Sequence, residues 1–174
     1  MDALAQQHLA NRVLLVFLRQ GAHPDIPLLS GMAESDVLSS GDGISRLLHA
    51  LCISALRLFH TVRYVKASTL IYELEQVQVT GEYLYYTKKL AALDLLVIDD
   101  FGLMELDIDK CRNLFEVIDS RDCRNSTMVI SQIPVSSCYE LFQDNTYADA
   151  CMDRIIHNAY RLESNGRNMR NSSK

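Results

Sequence analysis

Asp94-Leu95-Leu96-Val97-Ile98-Asp99-Asp100 is the stretch on which the reading of the whole chain turns. Four apolar residues in a row end at once in two carboxylates. A continuous apolar run of this kind suits a strand covered on both faces, as in a parallel sheet between helices. In such sheets ligands gather beyond the carboxyl ends of the strands, so Asp99 and Asp100 fall where chemistry is expected. A carboxylate at a strand tip can hold Mg2+ through water, because hard cations take oxygen ligands. A second acid beside it can polarise the water that attacks a γ-phosphate. A buried strand followed by an acidic turn is the plainer reading of the same residues. Asp94, Asp99, Asp100, Glu105, Asp107 and Asp109 put six acids in sixteen residues without a Lys or Arg. That repulsion is easier to tolerate with a cation bound; a solvated acidic loop is the alternative for the last three.

Working outward, residues 61–66 (TVRYVK) are a β-branched and aromatic run and read as a strand. Ser68 is placed to cap a helix carrying Leu70, Ile71 and Leu74. Further helices are expected over 83–92, 109–121, 135–142 and 148–158, with a strand at 127–131. Residues from 163 onward are polar and expected to fray. Upstream, Leu9, Val13, Val16 and Phe17 have helical spacing, so residues 4–19 read as a helix. Pro24 and Pro27 then break the chain, residues 28–43 read as loop, and a helix is expected over 44–59. Strands alternating with helices imply a three-layer α/β domain with a parallel sheet between helices. Ser131 and Gln132 follow the strand at 127–131, so they share the expected site edge with Asp99 and Asp100.

Bulk composition narrows the function classes. The chain has 174 residues and 48% hydrophobic content, which fits one domain with a real core. A net charge of −5 supplies no global basic field to draw it onto DNA. Any nucleic-acid contact must then come from a local patch or an assembly of copies. The cysteines (Cys52, Cys111, Cys123, Cys138 and Cys151) are odd in number and none shares a C-x-x-C spacing, so reduced thiols in a cytoplasmic protein are expected. The scattered histidines suggest no metal cluster. Residues 1–20 lack the ordered features of a signal peptide, and no apolar run approaches a membrane span.

Three stretches carry a resemblance to a known family. LDLLVIDDFGLMELD and the later NSTMVISQIPVSSCYELFQDNTYADACMDRIIHNAYRLE resemble the second half of the IstB-like ATPases, the helpers of insertion-sequence transposases. VRYVKASTLIYELEQVQVTGEYLYYTKKLAALD resembles the part just before. The match covers residues 61–170, roughly two-thirds of the chain. Helicase-loader (DnaC-like) ATPases share the architecture and are the nearest related reading. The resemblance implies a P-loop NTPase fold of AAA+ type, ATP and Mg2+ as cofactors, a transposase partner, double-stranded DNA engaged through an assembly, and a homo-oligomer. It implies Asp99 as the metal-binding aspartate and Asp100 as the catalytic acid. Ser131 and Gln132 fall at the sensor position near the γ-phosphate, where a structural hydrogen-bonding role is the alternative. Arg154 matches an arginine that completes a neighbour's site in trans; its alternative is an ordinary arginine on a helix surface.

The phosphate loop departs from the family pattern. A G-x-x-x-x-G-K-[ST] loop should precede the strand at 61–66, and counting back places its Lys-Ser pair on Ile44-Ser45, after Gly41-Asp42-Gly43. Gly41, Gly43 and Ser45 survive. Leu38 occupies the leading glycine position, the lysine is absent, and Asp42 adds negative charge. Backbone N–H groups and a helix N-terminus can still bind an anion there, and Ser45 can touch Mg2+ or simply cap its helix. Weak ATP binding with little hydrolysis is expected, unless Arg46 or Lys66 supplies the missing charge. The chain therefore divides into an N-terminal segment (1–27), an ATP-binding domain (28–163, degenerate at 28–45) and a basic tail (164–174). Arg167, Arg170 and Lys174 in that tail can contact phosphates or remain solvated. Three functions stay open: a transposition helper impaired in hydrolysis, a non-catalytic adaptor or remnant of the same fold, and a helicase loader.

Overall fold

The computed structural model describes residues 11–17, 43–157 and 159–165, with side chains from 50 to 157 and from 159 to 161. Its elements are β1 (Asn11–Phe17), α1 (Gly43–Arg57), β2 (Val62–Lys66), α2 (Ala67–Thr80), α3 (Tyr83–Ala92) and β3 (Leu95–Phe101). There follow α4 (Ile108–Arg121), β4 (Ser126–Ser131), a short α5 (Val135–Cys138) with a 3-10 turn (Tyr139–Leu141), α6 (Asn145–Ile156) and β5 (Ala159–Asn165). They build one five-stranded sheet in the order β2-β3-β4-β1-β5. β2, β3 and β4 are parallel, whereas β1 runs antiparallel to both β4 and β5. The α/β class and the parallel three-strand sheet between helices agree with the expectation from sequence.

Burial explains why β3 is the middle of the three parallel strands. Leu96 and Ile98 join Val65, Leu70, Leu74, Leu114, Val117 and Val129 in one core cluster. Leu95 and Val97 alternate onto the other face and are buried as well. On the helix α1, which packs against β2, Leu51 and Ala55 are buried too. A strand closed on both sides cannot expose its backbone or tolerate polar side chains until it ends, so the acids wait for positions 99 and 100.

Four local expectations are corrected. Residues 11–17, expected within a helix, form β1; a short apolar run such as VLLVF satisfies helical spacing and strand propensity alike, and pairing on both sides decides it. Of the residues expected to fray, 163–165 complete β5, with Asn11 opposite Asn165 and Val13 opposite Glu163. The boundary expected after 163 thus falls inside a strand, because the open edge of β1 offers backbone partners to a polar segment. Ser68 does not cap α2, which begins one residue earlier, with Lys66 extended at the N-cap and no side-chain cap bond. The segment expected as a single helix over 135–142 is a four-residue helix followed by the 3-10 turn.

Candidate functional site

The sheet pairs Ile98 with Val129 and then Phe101 with Ser131, so Asp99 and Asp100 together face the single residue Ile130. This is a β-bulge, and bulges beside active sites re-aim side chains. Asp100 has φ 55, in the left-handed region that Asp tolerates better than most residues. Gly102 follows with φ 106. A Cβ at Gly102 would stand 2.7 Å from Ile133 Cγ1 and 3.1 Å from Ser131 Oγ, so only glycine lets the chain turn against β4 there. Two residues with positive φ in three positions show that the turn is held by its surroundings, the pattern found at functional sites.

The bulge gathers polar groups from three strands. Asp99 is buried; its Oδ1 accepts from the Asp100 backbone N–H at 2.7 Å, and its Oδ2 accepts from the Tyr64 hydroxyl. Asp100 is 2.9 Å from Lys66 Nζ through Oδ2 and accepts at Oδ1 from Gln132 Nε2 at 3.2 Å. The carboxylate of Asp100, with that of Asp99 behind it, holds the Lys66 ammonium more firmly in its charged form than usual. Tyr64 and Lys66 are two apart on β2 and so share a face, and the register sets Lys66 beside Asp99.

The other residues singled out from sequence separate into those that reach this edge and those that do not. Gln132 reaches Asp100. Ser131 lies at the end of β4, but it is buried and turned into its own loop: its Oγ accepts from the Ile133 N–H at 3.1 Å and lies 3.8 Å from Cys138 Sγ. The structural alternative describes its observed bonds. Arg154 sits on α6 and is bound within its own chain. Its guanidinium meets Asp119 Oδ1 at 2.7 Å, donates to the Ala150 carbonyl at 2.9 Å and lies over the Phe115 ring at 4.7 Å. Of the loop, Gly43 and Ser45 open α1, whereas Gly41 and Asp42 lie outside the described residues. The expected closeness of the Gly41–Ser45 loop to the acids therefore also falls outside them. β1 nevertheless adds a constraint. Phe17 pairs with Thr127 at the amino end of β4, so the chain leaves β1 at the edge opposite Asp99 and Asp100.

The acid cluster thins once its members are placed. Asp94, at the far end of β3, accepts from Thr61 N and Thr61 Oγ1, both at 2.8 Å, and these bonds hold its carboxyl below the usual range. Asp107 caps α4 by accepting from the Lys110 N–H at 3.0 Å, and Asp109 pairs with Arg112 at 3.0 Å. Glu105 is exposed in the turn that follows β3, so Asp99 and Asp100 are the two acids of the cluster at the strand's carboxyl end. No group of three or more His, Cys, Asp or Glu among the described residues could hold a metal ion. The pair nonetheless fits Mg2+ in one respect, since it offers hard carboxylate oxygens. Such an ion would keep most of its shell as water and phosphate oxygen, as Mg2+ commonly does. Sequence reasoning missed Tyr64 and the bulge. The two-residue spacing of Tyr64 and Lys66 was visible, but their approach to the acids depends on the β2–β3 register.

A three-layer α/β domain whose three parallel strands lie between helices is consistent with a P-loop NTPase fold. The sequence profile of the family described as IstB-like ATP binding protein matches residues 36–174, and the chain belongs to that family. It is 43% identical over 131 residues to the insertion sequence ATP-binding protein y4uH of Sinorhizobium fredii, covering 75% of this chain and 53% of that protein. It is 36% identical to y4pL of the same organism, covering 78% and 55%. The insertion sequence IS232 ATP-binding protein of Bacillus thuringiensis subsp. berliner is 28% identical, covering 69% and 48%. The chain spans about half the length of these curated relatives. No helix among the described residues is long and apolar enough to cross a membrane.

Proposed function

We propose that this chain is the ATP-binding helper of an insertion-sequence transposase, binding ATP with Mg2+ at Asp99 and Asp100 and hydrolysing it poorly. The observation that carries the reading is the bulge that presents both acids at the sheet's carboxyl end, with Lys66 and Gln132 converging on Asp100. Asp99 would hold Mg2+ through water, and Ser45 would add a hydroxyl from the start of α1. When bound, the ion neutralises charge on the triphosphate. Asp100 would orient the attacking water, helped by Gln132, which keeps the carboxylate turned. Poor hydrolysis follows from Ile44 standing where the family has its phosphate lysine, since one missing donor at a charge-developing site costs on the order of a hundredfold in rate. The same substitution favours a second reading, an adaptor of this fold without turnover. The relatives' descriptions as insertion sequence proteins favour transposition over helicase loading.

With a net charge of −5, DNA contact belongs to an assembly of several copies in the cytoplasm, where Arg154 would have to leave Asp119 to complete a neighbour's site. Native-gel binding to linear duplex DNA tests this. Multi-copy complexes are expected with ATP and Mg2+, weakening as salt rises, and their capture of the partner transposase completes the reading. The same complexes without nucleotide would remove ATP control from the account. Absence of any complex at low salt and saturating ATP would reject assembly on DNA.

A further inference from the structure

We propose that Lys66 is the cationic contact for the terminal phosphate of bound ATP, delivered from the end of β2 in place of the lysine absent at position 44. The inference rests on the reading that the chain binds Mg·ATP. Lys66 is the last residue of β2 and lies in register with Asp99, so it stands at the edge beyond which ligands of a parallel sheet collect. Its Nζ is 2.9 Å from Asp100 Oδ2 while its side chain stays 58% exposed. The arm therefore crosses the acids on their solvent side and is not packed in place.

Three features make this arm suited to a phosphate and not only to Asp100. Two carboxylates repel an incoming triphosphate, and a cation lying over them offsets that repulsion at the point of approach. A lysine ammonium is a compact charge on a flexible stem with three donors, so it can keep Asp100 and take a phosphate oxygen together. Asp100 also retains the Gln132 amide at 3.2 Å if the lysine shifts. Among the described residues three arginines are committed elsewhere: Arg63 to Glu73 at 2.6 Å, Arg112 to Asp109 at 3.0 Å, and Arg154 to Asp119 at 2.7 Å. Arg121 is buried beneath the sheet's other end, against Ser126 and Thr127.

The plainer role for Lys66 is that of a counter-ion to Asp100, and affinity for nucleotides of different length separates the two. Calorimetric titrations of ATP, ADP and adenosine, all with Mg2+, would compare the unmodified chain with Lys66→Ala and Lys66→Arg. Charge-assisted hydrogen bonds of this kind correspond to about ten- to a hundred-fold in affinity. Lys66→Ala should weaken ATP by that much, ADP by less and adenosine not at all, while Lys66→Arg should recover most of the ATP affinity. Equal ATP affinity of Lys66→Ala and the unmodified chain would reduce Lys66 to a counter-ion while leaving the ATP reading intact. An equal loss for all three ligands would mark a disturbed fold and overturn the proposal. If the unmodified chain binds adenosine compounds no better than buffer, the underlying ATP reading fails and the proposal with it.

Discussion

Replacing Arg121 with methionine should destabilise the fold more than any change at the site itself. Arg121 is the last residue of α4 and only 1% exposed. Its Nε donates to Thr127 Oγ1 at 2.9 Å, Nη2 to the Ser126 carbonyl at 2.5 Å, and Nη1 to the Leu90 carbonyl. One guanidinium thus ties the ends of α3 and α4 to the start of β4. Burial lowers its pKa to about 10 against the opposing field of Asp94, so it is still a cation at neutral pH. Methionine fills much of the volume but donates nothing. Each buried acceptor left alone costs about 1–3 kcal/mol. Leu90 O keeps a partial partner in the Leu93 N–H at 3.3 Å, so the three acceptors together should cost about 3–5 kcal/mol. For a chain of this size each kcal/mol moves Tm by about 2–4 °C, which gives a fall of roughly 6–20 °C. Urea titration and thermal melting of both proteins measure it. Arg121→Lys should recover only part, because one ammonium cannot reach three acceptors. A loss below about 1 kcal/mol with an unchanged urea slope would refute the reasoning.

Gly102→Ala should lower both stability and nucleotide affinity, since the added Cβ meets Ile133 and Ser131 at a φ of 106; a melt and a titration matching the unmodified chain would show that the turn relaxes freely. Ile44→Lys should raise Mg2+-dependent affinity for ATP by restoring the phosphate cation, and an unchanged affinity would place position 44 away from the phosphates. Asp94→Asn should reveal a pH dependence. The folded-state pKa of Asp94 is depressed by its bonds to Thr61, so its stabilising effect is present above the unfolded value and is lost as pH falls through the folded one. The stability gap between the two proteins should therefore be full at neutral pH and close in acid; a gap independent of pH would contradict it.

The strand β3 was legible because burial on both faces leaves a mark that few other elements make: four apolar residues and then two acids. Helices over 83–92 and 109–121 were legible for a similar reason, as an amphipathic stripe needs no knowledge of neighbours. β1 was not, because VLLVF fits either period and its strand form depends on partners more than a hundred residues away, at Thr127 and Ala159. The site followed the same division. Asp99 and Asp100 could be placed from their own sequence. The Tyr64 and Lys66 contacts require the parallel register, and the bulge requires two residues to face one. Asp94, Asp107 and Asp109 looked like part of the site only while their local partners were unknown.

Titration of ATP with Mg2+ into the unmodified chain and into Asp99→Ala tests the central claim most directly. Saturable binding is expected in the unmodified chain, lost when the metal is chelated and lost in Asp99→Ala, with turnover close to that of buffer. Equal binding by both proteins would contradict the account, as would brisk ATP hydrolysis by the unmodified chain.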